Sequence, residues 1–166
     1  SIQALVGINL AYSNYVRLYH NSISVENAYS QEYGAAIQLS SNSHISLYNN
    51  ILASPGTGFA VAASSNTDAL FSHNAYFGGN RNCFSINNLA YEPSAGMAAL
   101  ADTYGVFANP YMDEEGYSSS NYLGNKGIAT YVQSDVDYNI FGSNIPIGAS
   151  IISYIPTLAG SVTIGV

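Results

Sequence analysis

Apolar residues in the first half of the chain fall on alternate positions in short bursts: Val16 and Leu18, Ile45 and Leu47, Ala69 and Phe71. A period of two belongs to a strand with one face buried. The bursts sit inside a recurring phrase, VRLYHNSI from Val16, ISLYNNIL from Ile45 and ALFSHNAY from Ala69, with asparagine at the sixth place each time. Stepping back from Asn21, Asn50 and Asn74 by the same interval lands on Ile8, Ile37 and Val61. The positions between agree in character: Leu10, Leu39 and Ala63; Val16, Ile45 and Ala69; Leu18, Leu47 and Phe71; His20, Asn49 and His73. The asparagines are 29 and then 24 residues apart.

Polar stretches rich in Ser and Asn (AYSN, SSNS, SSNT) separate the bursts and read as bends. The phrase recurs in one chain direction, so its copies align with themselves only if each turn of the chain lays its strands parallel to those of the turn before, rising about 4.8 Å. Extra length is confined to one loop, longer in VENAYSQEYG than in ASPGTG. This predicts an all-β fold, a parallel solenoid, in which Asn21, Asn50 and Asn74 turn inward at a bend and form a hydrogen-bonded ladder. The repeat frame fails after Gly78, giving an expected division into coils over 1–79, an irregular segment packing on them over 80–130, and terminal strands of the same domain over 131–166.

Composition narrows the function. The chain has 166 residues, 48% of them apolar, which suits one domain with a real core, and only 8% are charged. Three Lys plus Arg stand against ten Asp plus Glu, a formal net charge of -7, so the cationic face that nucleic acid or an anionic membrane surface requires is lacking. No run approaches the roughly 18 apolar residues of a membrane span, so no membrane insertion is expected. The single cysteine, Cys83, excludes an internal disulfide and leaves the redox compartment unread. The sequence opens at Ser1 without an initiator Met or an apolar leader, which fits a segment of a larger protein.

The phrases LYHNSI and LYNNIL resemble the coil repeat of the right-handed parallel β-helix, pectin-lyase-like family. The later stretches GVFANPYMDEEGYSSSNYLGNKG and SDVDYNIFGSNIPIGA resemble the irregular closing segment of its secreted or cell-surface bacterial members, with Asn109, Pro110, Gly127, Asp135, Asp137 and Gly148 in the matching places. Tyr138 stands where a glycine is usual, and the arginine that commonly follows is missing. The resemblance implies a right-handed coil and a secreted or cell-surface location. Its function classes are polysaccharide lyases, glycosidases and adhesins, among which fold alone does not choose.

A lyase needs a base beside a cation that neutralises a uronic carboxylate. The only cations, Arg17, Arg81 and Lys126, are scattered along the chain. Glycoside hydrolysis needs two carboxyls roughly 5–10 Å apart. On the coils Asp68 alone aligns usefully, with His44 one turn earlier and Tyr15 before that, while Asp113, Glu114 and Glu115 read as a solvated loop. No catalytic residue is assigned. Asp135, Asp137 and Asn139 alternate as calcium ligands do, but the glycine and the bidentate glutamate of a calcium loop are missing. His20 and His73 lie two turns apart, about 10 Å, too far for one zinc ion. No cofactor is required by these residues, and Cys83 reads as an inert thiol.

Binding is better supplied. Tyr15, Arg17 and Tyr19 should lie below His44, Ser46 and Tyr48 on the outer side of one sheet, a patch of flat rings and hydrogen-bonding groups suited to sugars. Packing between the tyrosines that merely steadies the sheet is the plainer alternative. The sequence therefore predicts a structural or adhesive β-helix module of an exported bacterial surface protein that contacts polysaccharide. The alternative is the non-catalytic C-terminal part of a polysaccharide lyase or glycoside hydrolase. Nothing before Ile8 covers a coil cross-section, so the N-terminal edge is expected to be open to the remainder of a larger chain or to a partner protein.

Overall fold

The computed structural model describes residues 5–26, 34–64, 67–79, 82–113, 117–134, 138 and 140–149. Alternating apolar residues form short strands, three to each pass of the chain. The first pass is β1 (Val6–Ala11), β2 (Arg17–Tyr19) and β3 (Ser22–Ser24). The second is β4 (Ala35–Ser40), β5 (Ile45–Tyr48) and β6 (Ile51–Ser54), and the third is β7 (Phe59–Ala63), β8 (Ala69–Ser72) and β9 (Ala75–Gly78). Each strand pairs in parallel with its counterpart in the next pass, so three parallel sheets run through the molecule. Their register is that of the sequence repeat: Ile8 opposite Ile37 opposite Val61, and Leu18 opposite Leu47 opposite Phe71. The fold is thus mostly β with parallel pairing.

Pairing continues beyond residue 79, where the sequence pattern stops. Strand β10 (Phe84–Ile86) adds to β7 in parallel, with Phe84 opposite Val61, and β12 (Val106–Phe107) adds to β9. Between them Asn87 and Asn88, at φ 54° and 63°, turn the chain into β11 (Leu89–Tyr91), antiparallel to β10, and the helix α1 (Pro93–Ala99) follows. Two successive positive φ values are what a tight hairpin turn requires. A fourth layer forms on two of the three sheets, while a hairpin and a helix replace the strand that would have paired with β8, which erases the period but not the pairing.

Ile37, Leu39, Ile45, Leu47, Leu52, Val61, Phe71, Tyr76 and Phe84 are buried between the sheets, and their removal from water is the main stabilising term. The first pass is different. Val6, Ile8 and Leu10 alternate half-buried with exposed neighbours, whereas their counterparts in β4 are fully buried.

After a one-turn 3-10 helix at Asn121–Leu123 the chain folds back along the passes. Leu123 and Ile147 bury themselves against Ile51, Ala53 and Ala75. Ile147 donates its N–H to Leu123 (3.0 Å), Gly148 donates to the Asn49 carbonyl (2.7 Å), and Ala149 donates to Ser22 Oγ (2.9 Å). Of the stretch over 131–166 where terminal strands are expected, the described residues hold one isolated bridge, Ser134 to Ile140. Much of its backbone bonding is committed to this corner rather than to a sheet. Residues 150–166 lie outside the described residues. None of the described helices is long and apolar enough to cross a membrane.

Candidate functional site

Two constellations emerge, one inside the molecule and one outside. Inside, Asn21 Nδ2 donates to Asn50 Oδ1 (2.9 Å) and Asn50 Nδ2 to Asn74 Oδ1 (3.0 Å). The backbone N–H groups of Asn21 and Asn50 donate to the same two oxygens, at 3.0 Å each. Every amide points the same way, and Asn50 and Asn74 also donate back to Leu18 and Leu47 carbonyls (2.8 Å each), satisfying bends that would otherwise carry orphan groups.

The row ends on Asp102, which the sequence reading missed because it lies outside the repeat frame. Its buried carboxylate accepts from His73 N (3.0 Å), Asn74 N (3.2 Å), Asn74 Nδ2 (3.0 Å) and the Tyr76 hydroxyl (2.8 Å). Burial, reinforced by the Asp102 charge, pushes the Tyr76 phenol well above its usual pKa. Another buried asparagine, Asn42, repeats the device at an earlier bend, accepting from Ser13 N (2.9 Å) and donating to Leu10 O (2.8 Å).

Residues preceding the ladder make the corner. His20, Asn49 and His73 all adopt φ near 55–58°. Asn49 Nδ2 lies 3.0 Å from His20 Nε2 and donates to Ile128 O (2.7 Å), while Ile128 N–H donates to Asn49 Oδ1 (2.9 Å), so this side chain ties the returning segment to the passes. His20 packs against Phe141 at 4.6 Å, and burial lowers its pKa from 6.5 to about 4, partly offset by the Gly148 and Pro146 backbone. His73 stacks on Tyr104 at 4.6 Å, and burial lowers its pKa as well, against the pull of Asp102.

Outside, the sheet β2–β5–β8 carries the aromatic residues that the repeat aligns. Tyr15 and His44 stack at 4.7 Å with their planes 18° apart, and Tyr19 and Tyr48 at 5.3 Å with planes only 6° apart. Arg17 lies opposite Ser46 in register, its guanidinium 5.7 Å from the Tyr131 ring centre. Tyr131, with Ala129 and Thr130, comes from the returning segment and forms the far wall of a cleft of about 310 Å³ over Tyr19 and Tyr48. A neighbouring concavity of about 600 Å³ is lined by Tyr15, Arg17, His44, Ser46, Asp68 and Leu70. Asp68 accepts from the His44 backbone N–H (3.3 Å) rather than pairing with its ring. No sequence signal pointed to Tyr131, because nothing in the repeat says where the returning segment will lie.

Comparison with family models, with curated proteins and with solved structures finds no match to this chain.

The remaining candidates stand apart from this face. Lys126 lies over the Tyr122 ring at 4.9 Å. Cys83 is buried, and burial raises its thiol to about 11. Arg81, Glu114 and Glu115, like the calcium candidates Asp135, Asp137 and Asn139, lie outside the described residues, and among the described residues no group of three His, Cys, Asp or Glu is placed to hold a metal.

Proposed function

We propose that this chain is a structural or adhesive module of an exported bacterial surface protein, built as a right-handed parallel β-helix of the pectin-lyase-like kind, which contacts carbohydrate through the face of β2 and β5. Support for the coil comes from three parallel sheets that share one register. Support for carbohydrate comes chiefly from one observation: the Tyr19 and Tyr48 rings, stacked with their planes nearly parallel and joined in one cleft by Tyr131. A stacked tyrosine pair alone is ordinary cross-strand packing. Here the pair also lines a cleft with Ala129, Thr130 and Tyr131, and the Arg17 guanidinium lies over the Tyr131 ring, a mixture of aromatic surface and polar groups that suits a sugar's C–H face and hydroxyls. Tyr15 and His44 supply a second platform four residues back along the chain, roughly 10–13 Å away by the strand rise. A ligand long enough to touch both would run along the strands, past Arg17.

Titration of the purified chain with neutral and uronic hexasaccharides, read by calorimetry and tyrosine fluorescence, tests this. Binding should weaken about five- to thirtyfold in Tyr48→Ala, the loss of one aromatic contact being worth about 1–2 kcal/mol. An absence of binding by every oligosaccharide at millimolar concentration, or binding untouched by Tyr48→Ala and Tyr131→Ala, would overturn the reading. Release of unsaturated product from a polyuronide, lost on Arg17→Ala, would move the face from adhesion to catalysis.

A further inference from the structure

The interior amide row has two dissimilar ends. At the far end Asp102 closes it: a carboxylate accepts from Asn74 but has no N–H to pass on. At the near end stands Asn21, half-buried where Asn50 and Asn74 are fully buried. Asn50 Oδ1 receives two donors from the pass before it, Asn21 N and Asn21 Nδ2. Among the described residues, nothing is placed to donate to Asn21 Oδ1 in the same way.

Three further observations coincide at this end. Among the described residues strands β1, β2 and β3 are each the outermost member of their sheet, so their outer backbone groups lie at one common edge. Val6, Ile8, Leu10, Val16, Leu18 and Ile23, the inward residues of this pass, are only half-buried. The returning segment also overhangs the edge: Val132, Ser134 and Ala149 enclose a groove of about 340 Å³ with Tyr19, His20, Asn21, Ser22 and Ile23. The site is therefore an apolar floor rimmed by strand edges, with a carboxamide oxygen as acceptor and a side wall already in place.

From this geometry we infer that the N-terminal edge takes one further polypeptide turn of the same pattern, which adds a parallel strand to each of β1, β2 and β3. That turn seats an asparagine whose backbone N–H and Nδ2 both donate to Asn21 Oδ1. A second copy of this chain does not meet the requirement. Stacked head to head, two copies bring Asn21 Oδ1 against Asn21 Oδ1 and pair their edge strands antiparallel. Stacked head to tail, they bring Asn21 Oδ1 against the Asp102 carboxylate, and β11 and the short β12 occupy the surface where a full layer would have to sit. Both ends of the row offer oxygen, so the occupant must bring the donors. This inference rests on the coil part of the proposed function and is independent of its carbohydrate part.

The test joins a second copy of residues 6–34 ahead of Val6, in place of residues 1–5, so that an added asparagine falls one 29-residue repeat before Asn21. The extended chain should melt at least about 5 °C higher than the original, and the amides of β1, β2 and β3 should exchange more slowly. Changing the added asparagine to aspartate, an acceptor facing an acceptor, should remove most of the gain, while leucine should remove part of it. No rise in Tm, or an aspartate variant equal to the asparagine form, would overturn the inference. Where the extended chain fails to fold, the peptide of residues 6–34 is added to the full chain, and exchange at β1 unchanged at millimolar peptide overturns it equally. So would sedimentation of the original chain as a dimer with β1 amides protected, which would give the edge to a second copy.

Discussion

Three positions in each of the first two passes hold a backbone conformation that L side chains avoid: Tyr12 and Ser41, Tyr15 and His44, His20 and Asn49, the last continued by His73, all at φ between 52° and 59°. Left-handed backbone costs most residues roughly 1–2 kcal/mol, and Asn and His tolerate it best. The recurrence of His, Asn, His before the ladder asparagine was visible in the sequence, but its cause was not, because these residue types also occur with ordinary negative φ. The ladder was legible for the opposite reason. An inward carboxamide on the short Asn stem donates from Nδ2 and accepts on Oδ1 within reach of its own bend, and the repeat keeps Asn21, Asn50 and Asn74 alike. Asn50→Leu strips partners from Asn21, Asn74 and the Leu18 carbonyl and should cost on the order of 1–3 kcal/mol in urea denaturation. His20 supplies a pH dependence. Its pKa is about 4 folded and 6.5 unfolded, so its burial carries no penalty above pH 6.5. The penalty then grows as pH falls to 4 and stays level below, since only the unfolded chain takes up the proton in that window. His20→Asn, the residue already used one pass on, should lose less stability than the wild type between pH 7.5 and 4.5, a difference on the order of 1–3 kcal/mol in the urea midpoint series.

Strands of two to six residues have little independent stability, and what holds them is register with the neighbouring passes. At the scale of elements the sequence was readable wherever each strand kept its inward residues on alternate positions, as β4, β5 and β8 do. It became unreadable at β10, where Phe84 and Ile86 still alternate but no phrase precedes or follows them at the repeat spacing. Length was the decisive signal, and the hairpin β10–β11 with helix α1 removes it. How α1 sits is fixed by one contact: a Cβ on Gly96 would lie 2.3 Å from Phe84 Cδ2 and 2.4 Å from its Cγ. Phe84 is itself fully buried against Tyr76, ring centres 5.0 Å apart, and has no room to yield. Gly96→Ala should therefore destabilise by about 1–3 kcal/mol despite alanine's better helix propensity, whereas Gly142→Ala, with open space around it, should be close to neutral. Thermal melting of the two variants side by side separates these outcomes.

Across the whole molecule, local order runs along the chain and the candidate face does not. Tyr15, Arg17, Tyr19, His44 and Tyr48 were legible together because the repeat superimposes them. Tyr131, Thr130 and the groove wall at Val132, Ser134 and Ala149 arrive from more than eighty residues further on through contacts that no short pattern announces. The same returning segment joins Ser22 of the first pass, Asn49 of the second and, through Leu123 and Ile147, Ala75 of the third. That arrangement has a mechanical meaning. A stack of passes pulled from its ends would open one layer at a time, each freeing 29 or 24 residues, or roughly 8–10 nm of slack. Because the segment is stitched to three layers at once, tension must tear its seam before any single layer can peel. The first rupture is thus shared among several bonds in shear, and the layers behind it remain as a reserve of extensible length that absorbs work after the seam has gone.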